Sequence, residues 1–444
     1  MNRRVLTLLV VLAILSQGAR ADSLPAGKGD PGGGFSAGTG LPERVLHFPP
    51  EQSVGEIALI DETYVVPEVS REFHPGYVFA PSRYLGPARG EVRIPAGQCA
   101  ILHLGGKGVT RQQCLDALKS LGPNDAQDLD FLAPIPADDA FMPYIAKLTG
   151  MTHFCPVLAR FTPKGWAMLA SLPCLEHICT PYGLTDADVA EIAKLRTVNE
   201  MEIVADRLTD AGLASLAGLR NLQVLHLEGT TMMTDEGLRS LGTLPKLRHL
   251  RLSGPFTDKG LAYLIALPSL KALWLETPNT TEEGLRHLAQ CQSLERLCVP
   301  WLDTITDRGI AYLKSMPKLR ALGVGDARSL DAGVTALASV SNVEVLALKG
   351  SPALTDSALK PLASMPKLRA LEIYNSRITE QGLTNLHVCK KLDSIQIRSS
   401  VPVSQQAIAR LQTELPGLRT VDISQPEPPA RPRPAQPVRA AMMQ

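Results

Sequence analysis

Thr209-Asp210-Ala211-Gly212-Leu213-Ala214-Ser215-Leu216-Ala217-Gly218-Leu219-Arg220-Asn221-Leu222-Gln223-Val224-Leu225-His226-Leu227 carries two apolar periods in immediate succession. The first half places Leu213, Leu216 and Leu219 on one face at helical spacing. Thr209 is a good N-cap because its hydroxyl accepts from a backbone N–H that the first turn leaves unpaired, and Asp210 suits the positive end of the helix dipole. In the second half Leu225 and Leu227 alternate with Val224, His226 and Glu228, as in a short strand buried on one side. One such unit cannot cover its own apolar side, so it must stack on copies of itself.

Copies are present on both sides. Thr234-Asp235-Glu236-Gly237-Leu238, Thr257-Asp258-Lys259-Gly260-Leu261, Thr281-Glu282-Glu283-Gly284-Leu285 and Thr306-Asp307-Arg308-Gly309-Ile310 follow at steps of 25, 23, 24 and 25 residues. Weaker copies begin at Asp138, Thr162, Thr185, Leu330, Thr355, Thr379 and Ser404, so twelve units run from Asp138 to about Ser424, with a degenerate one near Thr110. This internal repeat overrides the several-domain expectation that length alone would give. Twelve parallel strands at about 4.8 Å each would extend a sheet over roughly 58 Å.

The pattern Leu-x-x-Leu-x-Leu, a small polar turn, then Thr-Asp-x-Gly-Leu-x-x-Leu resembles the leucine-rich-repeat family, particularly its bacterial exported members and the repeats of F-box-associated proteins. The resemblance covers about two thirds of the chain. It implies an α/β fold, a right-handed leucine-rich-repeat solenoid with a parallel concave sheet and convex helices. It also implies protein binding without catalysis; an F-box-like substrate adaptor is an alternative that the export-type leader disfavours. Where many family members place Asn after the strand, this chain has Asp206, Thr230, Pro255, Ser376 or Ser400. A weaker ladder of hydroxyls and a carboxylate is expected there.

The flanks differ in character. Arg3 and Arg4 precede an apolar run from Val5 to Leu15, and Ala19-Arg20-Ala21 offers a signal-peptidase site, which predicts cleavage after Ala21 and a periplasmic or secreted protein. The run is shorter than the roughly 20 residues that cross a bilayer core as helix, and no stable membrane span is expected elsewhere. Residues 22–40 read as a flexible Gly-rich linker, 41–106 as a small β-rich N-terminal capping domain, 107–137 as a degenerate repeat at the junction, and 425–444 as a disordered Pro-rich tail.

Chemistry is sparse. The 45 lysines and arginines balance 44 aspartates and glutamates without a basic run, so nucleic acid is not an expected partner. Gly34-Phe35-Ser36-Ala37-Gly38 matches a nucleophile elbow in letters only, since it lies in the linker and lacks the strand-to-helix turn that the chemistry needs. Gly105-Gly106-Lys107-Gly108 lacks phosphate-loop spacing and reads as a turn entering a helix. No catalytic residue is expected. Asn279-Thr280-Thr281, formally a glycosylation acceptor, reads as helix capping.

Candidate residues therefore come from the strand positions facing away from the core. Trp274, flanked by Arg251 and Arg296 with His226 and His249 beside them, has the aromatic and guanidinium character that dominates protein interfaces. These five are the expected partner-binding residues. His153 and Cys155 recur one step of 24 later as His177 and Cys179, with Glu200 and Glu202 on the next strand. Two imidazoles and two thiolates are ligands that zinc accepts, and no other cofactor is expected. A Cys155–Cys179 disulfide or an uncoordinated polar patch remain alternatives. Cys291 and Cys389 replace helix leucines and read as buried thiols, while Cys99 and Cys114 lie at the junction of cap and repeats, where a disulfide would brace the cap though nothing in the spacing demands one.

Overall fold

The computed structural model describes residues 41–60, 82–132, 135, 137–156, 159–299, 307–325, 330–349 and 354–424. The expected leader, the 22–40 linker with its Gly34–Gly38 motif, residues 61–81 of the expected cap and the Pro-rich tail lie outside these residues. The strands are β1 (Arg44–His47), β2 (Gly55–Ile60), β3 (Ser82–Pro87), β4 (Glu91–Ile94), β5 (Ala100–Gly105), β6 (Asp128–Leu132), β7 (His153–Cys155), β8 (His177–Cys179) and β9 (Glu200–Val204). They continue as β10 (Val224–Glu228), β11 (His249–Ser253), β12 (Ala272–Glu276), β13 (Arg296–Val299), β14 (Ala321–Gly325), β15 (Val345–Lys349), β16 (Ala370–Ser376), β17 (Ser394–Ser399) and β18 (Thr420–Ser424).

From β5 to β18 each strand pairs in parallel with the next, and a helix or short helical turn follows the strand before the chain returns. The fold is a leucine-rich-repeat solenoid. β2 pairs antiparallel with β5 and β3, so the β-rich segment continues the repeat sheet directly, while β1 and β4 form a separate two-stranded sheet beside it. Inside, Leu213, Leu216, Leu219, Leu222, Leu225 and Leu227 of one unit are all buried, and the same positions of its neighbours join them in a continuous core. The helical stretches are short: Asp210–Ser215 passes into one turn of 3-10 helix at Leu216–Gly218, because each unit has room for little more before the next strand. Gly105, Gly106 and Gly108 all take positive φ, so the glycine run is the turn that leads into the helix Arg111–Ser120.

The recurrent Thr-Asp-x-Gly motif does more than cap helices. Thr209, Thr234, Thr257, Thr281 and Thr379 do accept from the N–H two residues on, as N-caps should. Their own N–H and hydroxyl groups, however, donate to the Asp of the preceding unit. Thr234 N and Oγ1 lie 2.8 and 2.6 Å from the Asp210 carboxylate, Thr257 is bound likewise to Asp235, and Thr281 to Asp258. The motif glycine accommodates this clasp: a Cβ on Gly237 would stand 2.3 Å from Asp210 Oδ1, and one on Gly260 2.4 Å from Asp235 Oδ1. Where Pro163 replaces the acid, Thr185 turns inward and donates instead to Asp188 of its own helix. The expected substitute for the family Asn ladder is also present in part: Asp206 accepts from Gly183 N at 2.9 Å and Thr230 donates to Ser253 O at 2.6 Å.

Candidate binding surface on the concave sheet

Parallel register aligns the outward side chains in columns. One column runs His153, His177, Glu200, Val224, His249, Ala272, Arg296, and the other Cys179, Glu202, His226, Arg251, Trp274, Cys298. Both extend further toward the N-terminus than the repeat motif shows. Asp128 is opposite His153, Asp130 opposite Cys155, and His103 opposite Asp130.

At the centre, Arg251 is held from both sides. Its guanidinium lies 3.3 Å from Glu228 and 2.7 Å from Glu276, carboxylates contributed by the strands before and after, and 5.3 Å from the Trp274 ring centroid. Cation–π stacking and two ion pairs fix a side chain that would otherwise sample many rotamers. Trp274 in turn packs on a second apolar cluster formed by Cys298, Ala321, Val345, Ala347 and Ala370. These outward positions are nevertheless buried, at 3% exposure or less. This stretch of the outward face is therefore apolar and small, and most of the ionisable outward groups lie on the strands up to Arg296. Glu372, also outward, is 1% exposed and accepts from Tyr374.

Arg296 and His249 meet across the small Ala272, with Arg296 Nη1 3.4 Å from His249 Nε2. Burial, then the Arg296 charge, pushes the His249 pKa down to about 4. The imidazole is therefore neutral near pH 7. His226 Nδ1 is 3.6 Å from Glu202 Oε1. Burial alone would raise Glu202, but His226, His177 and Arg251 outweigh it and hold this carboxyl below its ordinary range, whereas burial raises its neighbour Glu200. All five expected partner-binding residues thus fall in one patch, though Arg251 and His226 are more enclosed than a surface anchor would be.

Farther along, Cys155 and Cys179 are joined by a disulfide between β7 and β8. His177 Nε2 lies 3.5 Å from Cys179 Sγ, and the His153 ring packs edge-on to His177 with centroids 5.3 Å apart. Three of the four residues expected to hold zinc, Cys155, His177 and Cys179, offer ligand atoms within 4.8 Å of one another; His177, Glu200 and Glu202 form a second such group. His153 belongs to neither group, and its Nδ1 lies 2.8 Å from Thr152 Oγ1. Burial, then His177, pushes its pKa down to about 3. No disulfide joins Cys99 to Cys114, and burial pushes the thiols of Cys114, Cys291 and Cys389 up to about 11.

Sequence reasoning missed the N-terminal end of the strip. His103 Nδ1 lies 2.7 Å from Asp130 Oδ1; burial lowers its pKa, and the Asp130 bond and charge outweigh this to raise it. Burial, then the Asp130 charge, pushes Asp128 up to about 7. The alternation His103-x-Gly and Asp128-Leu129-Asp130 was the available signal, hidden because these strands lack the Thr-Asp-x-Gly partner.

No family model matches the chain, and no curated protein matches it. Among solved structures the fold is similar to internalin InlF of Listeria monocytogenes, at 16% identity and a TM-score of 0.43 over 74% of this chain and 87% of that one. No described helix is long and apolar enough to cross a membrane.

Proposed function

We propose that this chain is an exported, non-catalytic protein-binding module that grips a protein partner along the concave strip from Glu200 to Arg296. The observation that carries the reading is the Arg251 and Trp274 pair. A guanidinium already neutralised by Glu228 and Glu276 and stacked on an indole loses little freedom on binding, so a partner is spared much of the ordering cost of an interface. The same rigidity holds for His249 beside Arg296 and His226 beside Glu202. A near-zero net charge favours no polyanion.

The test is affinity capture from the exported proteome, followed by measured affinity for each captured protein. Trp274→Ala with Arg251→Ala is expected to weaken the true partner by about 30-fold, the equivalent of about 2 kcal/mol at a hot spot. Retention of every partner at wild-type affinity by a folded double variant overturns the reading. Export rests on the Arg3–Ala21 pattern and has its own check. Intact mass of protein recovered from the periplasm or medium is expected to begin at Asp22; a cytoplasmic protein retaining Met1 or Asn2 refutes it.

A further inference from the structure

We propose that Cys155, His177 and Cys179 form a redox-gated site for a thiophilic divalent cation, zinc. It is closed while the two sulfurs are bonded to each other and opened by a dithiol reductant. The inference is independent of partner binding.

Geometry supplies the first argument. Zinc bonds of about 2.0 Å to nitrogen and 2.3 Å to sulfur place tetrahedral donors about 3.3 to 3.8 Å apart. His177 Nε2 and Cys179 Sγ are already 3.5 Å apart, and the Cys155 sulfur lies within the same 4.8 Å circle. Rotation of two cysteine side chains opens the remaining edge without moving either strand. A flat sheet would spread four ligands, two per strand, into a square that does not suit a tetrahedral cation. Leaving out His153 reduces the square to a triangle, with the cation free to sit above it. The fourth position falls beside Glu200, register partner of His177, and Glu202, register partner of Cys179.

Surroundings supply the second. The His153 ring abuts His177 edge-on and fixes its orientation, while its own Nδ1 is engaged with Thr152, a supporting role of the kind that orients metal-binding imidazoles. Two thiolates neutralise the charge of the cation, which tolerates the low exposure of both cysteines, 6% each.

The chemistry balances. A dithiol transfers two electrons and two protons to the Cys155–Cys179 bond, becoming a disulfide itself and leaving two thiols. Zinc then displaces both thiol protons to solvent and takes a lone pair from each sulfur and from His177 Nε2. In the reverse direction a small-molecule disulfide accepts two electrons from the two thiolates and, with two protons from solvent, becomes two thiols; the Cys155–Cys179 bond re-forms and the cation is released.

The test compares the full chain in two states, as isolated with the disulfide intact and after reduction by a phosphine that is then removed. Zinc affinity is measured by competition with a chromophoric chelator. The reduced protein is expected to bind one zinc at least roughly 100-fold more tightly than the oxidised protein and to release two protons per zinc at a pH below the thiol pKa. Cobalt in its place should show a thiolate charge-transfer band. Cys155→Ser with Cys179→Ser should bind no better than the oxidised form, and His177→Gln at least tenfold more weakly than the reduced wild type. Equal affinity in both states, zinc retained by the double serine variant, or loss of the strand signal in circular dichroism on reduction each overturns the proposal.

Discussion

Replacing Gly237 by Ala is expected to destabilise the solenoid by about 3 kcal/mol, although it adds a single methyl group on the convex side. That methyl would stand 2.3 Å from Asp210 Oδ1, where the carboxylate accepts from Thr234 N and Oγ1. Either the carboxylate leaves and both charge-assisted bonds are lost, or the two units separate. Asp210→Ala alone should cost about 2 kcal/mol, the price of the two bonds. The double variant has no clash left to relieve and should be scarcely less stable than Asp210→Ala. Chemical unfolding of the four proteins gives the coupling directly; additive effects would show that the glycine is there for backbone freedom alone.

The second large effect concerns acid. With its pKa near 4 in the folded chain and about 6.5 when unfolded, His249 is neutral in the native state where the unfolded chain would protonate it. The stability it contributes is complete above pH 6.5 and is lost as pH falls toward 4, by roughly 2 to 3 kcal/mol. His153 acts in the same sense, whereas Asp128, raised to about 7, gains its proton over part of the same range and works in the opposite sense. The difference between wild type and His249→Gln isolates the first of these. Besides Arg296, the groups acting on His249 are His226, Arg248 and Glu295, and all remain in the variant. Wild type should lose stability faster than His249→Gln between pH 6.5 and 4; parallel curves would mean that the imidazole protonates freely beside Arg296.

The parallel strand order and the leucine core were legible because burial in a solenoid depends on spacing within one unit, and Leu225 and Leu227 state that spacing outright. The candidate surface was legible by position only. Register placed Arg251 beside Trp274, but alternation gives only the direction of a side chain and not its exposure, so the burial of the outward Ala321 to Ala370 stretch could not be read from it. The clasp was missed for another reason. Thr209 and Asp210 are adequately explained as cap and dipole partner within one helix, and that local account conceals a bond whose two ends lie 24 residues apart. Its trace was the glycine, which a helix has no reason of its own to keep.

A fastening repeated from the same five letters also needs somewhere to begin and somewhere to stop. At the front, Arg111 occupies the acid position of the degenerate unit and grips Asp138 at 2.6 Å, so a cation opens the series where the later described joints, the Pro163 one apart, use an anion. At the rear, Glu380 reaches Ser404 N at 2.7 Å, but the unit that Ser404 starts carries Gln405 where the acid would be and no glycine after it. The last link offers no hook to a following one. Length in this molecule is thus punctuated, with an opening mark and a full stop written in single side chains.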